Sequence, residues 1–252
     1  VGVMSRAVMP LWAAVPVAAL GGLALTAAFP ELAWWPMVFI AVPLVLVALI
    51  GRSAWGAVLV GLAFGATFFF LNLSFTARYL GPIPWVALSS LEAILTAVGV
   101  VPITMAYRWL PRVLSGRWTR AVLLPVLVAA LWTMRELLLG TFPYGGFPWG
   151  RVGVTQASGP LADVASWVGM SGLTFLIVFV CASVIEHVRW WRPRDPRALP
   201  GLLTLIALFL VPQFPTTDAG TMRVGAVQGN GPAGLFDQGG AQFPHVTVGG
   251  QI

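Results

Sequence analysis

Apolar runs of about twenty residues, the length a helix needs to cross a bilayer, follow one another along this chain and leave it few folds to choose from. The first extends from about Val8 to Ala28 and stops at Phe29-Pro30. The second starts near Trp34 and ends at Gly51-Arg52, and the third covers about Trp55 to Ser74. The fourth begins after the break Gly81-Pro82-Ile83-Pro84 and reaches Tyr107; the fifth takes in about Ala121 to Leu139. The sixth spans about Leu161 to Ile185, and a short seventh lies near Pro200 to Val211.

Composition turns these runs into a fold class. Hydrophobic residues fill 58% of 252 positions and charged ones only 9%, where a soluble domain carries about 25%. A mean hydropathy of +0.89 leaves no water-facing surface of ordinary size. In lipid the backbone must satisfy its own hydrogen bonds, which leaves helices or closed barrels. Barrel strands alternate over about ten residues, and these runs do not alternate. The expected fold is an all-α membrane protein, a bundle of about seven transmembrane helices over residues 1–213. The first run is too long, and too closely followed by others, to read as a cleaved signal peptide.

All fourteen basic residues are arginine, and they fall in loops rather than along one helix face or groove, which excludes a nucleic-acid reading. They fit a topology signal. With the N-terminus in the cytoplasm, the inner side holds Arg6, Arg52, Arg108, Arg112, Arg117, Arg120, Arg189, Arg192, Arg194 and Arg197. That orientation predicts a multi-pass protein of the cell membrane with its C-terminal tail extracytoplasmic. Trp34, Trp35, Trp55, Trp85, Trp118, Trp190 and Trp191 fall near run ends, as an interfacial aromatic belt requires.

The longest loop, residues 140–160, reads GTFPYGGFPWGRVGVTQASGP. Pro fixes the backbone and Gly permits sharp reversals, so this loop is expected to fold into a defined cap on the outer side. Residues 214–221 read as a polar linker. Arg223 to Val227 read as a short strand ending at a glycine turn, followed by a Gly-rich tail too small to bury a core.

Ionisable groups inside a span are costly and are functional candidates by default. Glu92 lies early in the fourth span, and Arg135 and Glu136 late in the fifth. Adjacent residues do not face each other on a helix, so Arg135 is expected to pair with Glu92 in a structural ion pair. Glu136 is then available to the outer pocket. Phe142, Tyr144, Phe147 and Trp149 surround Arg151 in the loop. They form either an interfacial belt or a wall with acyl chains below and a head group above, where Arg151 meets a lipid phosphate and Gln156 offers amide hydrogen bonds. Cys181 sits in an apolar run and reads as a buried thiol. His187 reads as a polar span end, and His245 receives no role. The sequence carries no metal-ligand spacing, phosphate loop or dinucleotide fingerprint, and no Ser/His/Asp or Cys/His set can be assembled from it. A transporter would show internal repeats and paired broken helices, which are not seen.

One stretch goes further. LWTMRELLLGTFPYGGFPWGRVGVTQASGPL resembles the signature of apolipoprotein N-acyltransferases, through Leu131, Trp132, Glu136, Gly146, Phe147, Pro148, Trp149, Gly153, Gln156, Gly159, Pro160 and Leu161. AAFPELAWWP is similar to the family's first outer loop, and VGAVQGNGP to the strand that opens its catalytic domain; FPYGGFPWGR looks most like the actinobacterial branch. The resemblance implies transfer of an acyl chain from a phospholipid donor to the N-terminal amine of a diacylglyceryl-cysteine lipoprotein. It also implies a Glu-Lys-Cys catalytic set in an outer α/β nitrilase-like domain, and no cofactor. This chain has no lysine, and Cys181 lies within a span. The expectation is therefore a truncated membrane half, with residues 222–252 the start of a missing nitrilase-like domain and no catalytic residue of its own. Glu136, Phe147, Pro148, Trp149, Arg151 and Gln156 are its expected substrate-binding residues. The alternative is a non-catalytic scaffold whose arginine-rich inner loops dock a polyprenyl-phosphate mannosyltransferase.

Overall fold

The computed structural model describes residues 7–114, 116, 118–189, 199–217 and 220–226. Every regular element among them is helical: α1 (Leu11–Ala28), α2 (Val38–Leu49), α3 (Ala54–Asn72), α4 (Ser74–Leu80), α5 (Pro82–Gly99), α6 (Val101–Val113), α7 (Leu124–Leu139), α8 (Ala165–Arg189) and α9 (Leu199–Phe209), with short 3-10 turns between some of them. Five segments are long and apolar enough to cross a membrane: Leu11–Ala28, Ala54–Asn72, Pro82–Val113, Thr119–Leu139 and Ala162–Arg189. Trp35–Leu49 and Pro200–Phe209 are apolar but shorter, so the expected count of seven depends on including them.

Local chemistry sets several boundaries. The Ser53 hydroxyl accepts from the Gly56 amide at 3.2 Å and caps α3, as a hydroxyl before a first turn does. Pro82 opens α5, where its missing N–H costs nothing. The expected fourth span is two helices, because α5 ends at Gly99 and α6 restarts at Val101 with Pro102 in its first turn. A proline there cannot donate to the preceding turn, so the ladder of helical hydrogen bonds is interrupted at that point. The α4 helix was not expected at all. Residues 223–226 run without regular structure, and Val227 of the expected strand lies outside the described residues.

The bundle has two chemically different ends. At one, Arg52 donates from Nη2 to the Met9 carbonyl at 2.6 Å and from Nε to that of Ala48 at 2.9 Å, while Arg108 donates to the Arg52 carbonyl at 3.2 Å. At the other, the turn before α2 meets the far side of the 140–160 loop: a Cβ on Gly159 would lie 3.2 Å from that of Trp35.

The core between them is aromatic. Trp132 is fully buried beside Phe64, with ring centroids 6.0 Å apart, and Phe68 joins Phe64 and Phe29 at 6.1 and 5.1 Å. Helices in lipid gain no hydrophobic drive from touching each other; they associate through close van der Waals contact between small residues. Gly22 of α1 lies against the α3 backbone, and Gly61 and Gly65 of α3 lie against Ala97 and Ala93 of α5.

The chain beyond α9 is fastened to the start of α8. The Trp167 indole donates to the Pro212 carbonyl at 2.7 Å and meets the Phe214 ring edge-on at 4.8 Å, and the Phe214 amide donates to the Ser166 hydroxyl at 3.1 Å. Trp167→Ala removes one hydrogen bond and one ring contact, each worth about 1 kcal/mol. Faster tryptic cleavage at Arg223, with the thermal unfolding temperature nearly unchanged, is the expected result.

Candidate functional site beneath the 140–160 loop

Residues four apart share a helix face, which places Trp132 and Glu136 together on α7. The Trp132 indole donates to Glu136 Oε1 at 2.9 Å. The same oxygen accepts from the Val152 amide at 3.1 Å, and Oε2 accepts from the Thr174 hydroxyl at 3.0 Å. Thr174 in turn accepts from the Gly153 amide at 2.9 Å. One carboxylate thus joins α7, α8 and the loop, and at 5% exposure water does not compete for it. The Glu136 position makes a positioning anchor, with both oxygens engaged by donors rather than turned to an open pocket.

Arg135 departs from expectation. Its Nη2 lies 3.7 Å from Glu136 Oε1 and its Nη1 donates to Thr96 at 3.2 Å. No Glu92 oxygen comes within ion-pair distance of it among the described residues. Two physical reasons account for the change. Neighbouring Cβ atoms diverge on a helix, but an arginine stem is long enough to curl back towards the next carboxylate. Thr96 is about one turn beyond Glu92 on the same face of α5, about 6 Å along the axis, and it is what the guanidinium reaches. The stem crosses α5 where there is no side chain, since a Cβ on Gly99 would be 2.6 Å from Arg135 Cγ. The guanidinium also lies 4.7 Å from the Trp132 ring centroid, a cation–π contact.

Glu92 is 2% exposed, and its Oε2 has no hydrogen-bond partner among the described residues. Arg151 is in the same condition at Nε. Both line a cavity of about 10 Å³ with Phe69, Glu136, Phe147 and Pro148, large enough for about one water-sized group. Its roof is the loop. Gly146 has a φ of +74°, and a Cβ there would fall 2.2 Å from the Thr141 amide, so this reversal requires glycine. The Phe147 amide then bonds back to the Leu139 carbonyl at 2.8 Å. Beyond it Phe147 and Trp149 stack at 6.0 Å, and Phe75 of α4 meets Trp149 at 5.3 Å. Trp149 is half-exposed, and Phe142 and Tyr144 more so.

Gln156 lies elsewhere in the loop. It is fully buried, its amide nitrogen donates to the Thr155 hydroxyl at 3.2 Å, and it does not line the cavity. Cys181 is buried on α8, well removed from the loop and near Tyr107 of α6. Among the described residues the site therefore combines a carboxylate oxygen and an arginine Nε without partners and an aromatic platform. It can hold a polar group against an apolar surface. Sequence reasoning missed Thr96, Thr174 and Phe75. The two threonines were visible as hydroxyls within apolar spans, where such groups bond between helices; nothing in the sequence pointed to Phe75.

Comparison with known proteins bears on the same residues. Residues 21–183 match the family profile described as the apolipoprotein N-acyltransferase N-terminal domain. An apolipoprotein N-acyltransferase of Ralstonia nicotianae is 29% identical over 191 residues, covering 70% of this chain and 35% of that protein. One of Shewanella oneidensis is 30% identical over 63% of this chain and 30% of its own length. One of Geobacter metallireducens is 27% identical over 89% of this chain and 43% of its own. The chain thus spans less than half the length of each of these relatives. The profile takes in α3, the α5–α6 pair, α7 and the whole anchored loop, and on that coverage the chain belongs to the apolipoprotein N-acyltransferase N-terminal domain family.

Proposed function

We propose that this chain is the membrane part of a lipoprotein N-acyltransferase, which moves an acyl chain from a phospholipid to the N-terminal amine of a diacylglyceryl-cysteine lipoprotein. The bond-making chemistry we assign to the part of the relatives' length that this chain does not span. The 140–160 loop supplies the lipid mouth. Glu136 holds the loop in place, Phe147, Pro148 and Trp149 form its apolar rim, and Arg151 meets the donor phosphate. Glu92 completes the polar floor, while Gln156 stiffens the loop from within. The observation that carries this reading is a buried arginine Nε and a buried carboxylate oxygen, both without a partner among the described residues, lining one small cavity under an exposed aromatic platform.

The arginine-rich end faces the cytoplasm in this proposal, as the positive-inside rule requires. Seven segments cross the bilayer, α2 and α9 included, and the loop and the chain beyond α9 lie outside. The fastening of Phe214 to α8 at the loop's end of the bundle supports this placement. The mannosyltransferase scaffold would rest on the four-arginine inner loops, of which Arg117, Arg192, Arg194 and Arg197 lie outside the described residues.

Replacing Trp149 by Ala in a full-length protein carrying this domain should lower acyl transfer about tenfold, about 1.4 kcal/mol of transition-state stabilisation. Mass spectrometry of the lipoprotein N-terminus reads the transfer, and immunoblotting the protein level. Undiminished transfer at equal protein level rejects the proposed mouth.

A further inference from the structure

We propose that the groove between α5–α6 and α7 holds one acyl chain of a membrane phospholipid, with the lipid phosphate on Arg151. This rests on the membrane reading above and adds to it the place where the donor lies before transfer. Two adjoining cavities, of about 290 and about 520 Å³, run along these helices and share Pro102 and Leu131 as walls. Both lie beside the junction of α5 and α6, lined there by Val98, Gly99, Val101 and Pro102. Arg135 is the one charged residue on the walls of either cavity.

Length, exposure and charge point to the occupant. From Leu127 to Leu139 the groove runs along α7 for about 18 Å at 1.5 Å per residue. One leaflet of hydrocarbon is about 15 Å thick, so an extended acyl chain fits it end to end. The rim residues Trp109, Met134 and Leu138 are 57%, 48% and 57% exposed, so among the described residues the groove is open to its surroundings. Its loop end stops at Phe142 and Leu139, and Leu139 also lines the small cavity that Arg151 enters. Gly140 follows directly, and a Cβ there would lie 2.7 Å from Arg151 Nη2. The unpartnered guanidinium therefore stands at the head of an apolar channel one leaflet long. An amphiphile with an anionic head and an apolar tail satisfies both; a peptide helix would leave the cation unmatched.

The test uses the whole chain in phosphatidylcholine vesicles doped with a phosphatidylglycerol bearing a photoactivatable group near the end of one acyl chain. A diacylglycerol with the same labelled chain is the parallel probe. Peptide mapping after illumination should place the phosphatidylglycerol adducts on α6 and α7. Leu131→Trp, which adds bulk at the junction, should lower them about fivefold, and so should the milder rim variant Met134→Trp, each about 1 kcal/mol of affinity. Leu20→Trp, on the exposed side of α1, should leave them unchanged. Arg151→Gln should lower the phosphatidylglycerol adducts but not those of diacylglycerol. Adducts spread evenly over the lipid-facing helices would overturn the proposal. So would adducts indifferent to both groove variants, an Arg151→Gln effect equal for both probes, or cross-links to a second protein in the groove. The readout is binding without turnover, so it separates from the proposed function. A labelled groove with Trp149→Ala inert removes the mouth alone, and a Trp149 effect with an unlabelled groove removes the groove alone.

Discussion

Leucine at both Gly61 and Gly65 separates α3 from α5 and costs the membrane bundle about 3 kcal/mol or more. Overpacking one well-packed position costs about 1–3 kcal/mol when the neighbours can shift. Here they cannot shift cheaply, because at each position a backbone atom of α5 lies within 3 Å. A Cβ at Gly61 would lie 2.8 Å from Ala97 Cα and 2.5 Å from Val100 Cγ2, and one at Gly65 would lie 2.9 Å from Ala93 Cα. The glycines are four residues apart on α3, and Ala93 and Ala97 four apart on α5, so each pair forms one stripe and the stripes meet. Relief requires the helix axes to move apart, which also breaks the Ser89 and Trp85 hydrogen bonds to the α3 carbonyls of Phe69 and Phe70. Thermal unfolding in detergent followed by circular dichroism measures the loss. The single Gly61→Ala variant should lie between wild type and the double variant. A double variant as stable as wild type would mean that α3 and α5 do not touch along this stripe.

That stripe marks where sequence reading stopped. The all-helical membrane class was legible because apolar runs of spanning length have only one backbone solution in lipid. So was the burial of Glu92, Arg135 and Glu136, at 2%, 6% and 5% exposure, since a charge within a run has nowhere else to go. Helix faces were harder. These helices are apolar on all sides, so polarity does not mark the side that packs, and the mark is the spacing of glycine and alanine instead. The break at Val100 could be suspected from Pro102, but a proline near mid-run is equally compatible with a kinked continuous helix. The partner of Arg135 was decided by one turn of register between Glu92 and Thr96, and no single-chain pattern encodes the register between two helices. The α4 helix follows a one-residue interruption at Leu73 within a continuous stretch of helix-compatible residues, and the sequence has no stop signal there.

Replacing Glu136 by Ala has the other large expected effect, and it is local before it is global. Three donors lose their acceptor at once: the Trp132 indole, the Val152 amide and the Thr174 hydroxyl. A buried donor left unpaired costs about 1–3 kcal/mol. Arg135 also loses its only ion-pair partner among the described residues, and breaking one side of a buried pair costs about 3–5 kcal/mol. These costs overlap, because the same rearrangement can relieve several of them, so about 4 kcal/mol is expected in all. The loop should be released first, since the Val152 amide and, through Thr174, the Gly153 amide are what fasten it to α7 and α8. The chain has no lysine, so trypsin cuts only at arginine, and Arg151 is the site within the loop. Cleavage at Arg151 should therefore rise steeply in Glu136→Ala under conditions where the helices stay folded. Glu136→Gln separates charge from shape. Its amide oxygen can still accept from Trp132 and Val152, but an amide nitrogen in place of Oε2 leaves the Thr174 O–H without its acceptor, and Arg135 loses its charged partner. An intermediate cleavage rate is expected. If Glu136→Ala unfolds at the wild-type temperature and Arg151 stays as resistant as before, the carboxylate is not what holds the loop, and the architecture of the mouth must rest on the aromatic contacts of Phe147 and Trp149 instead.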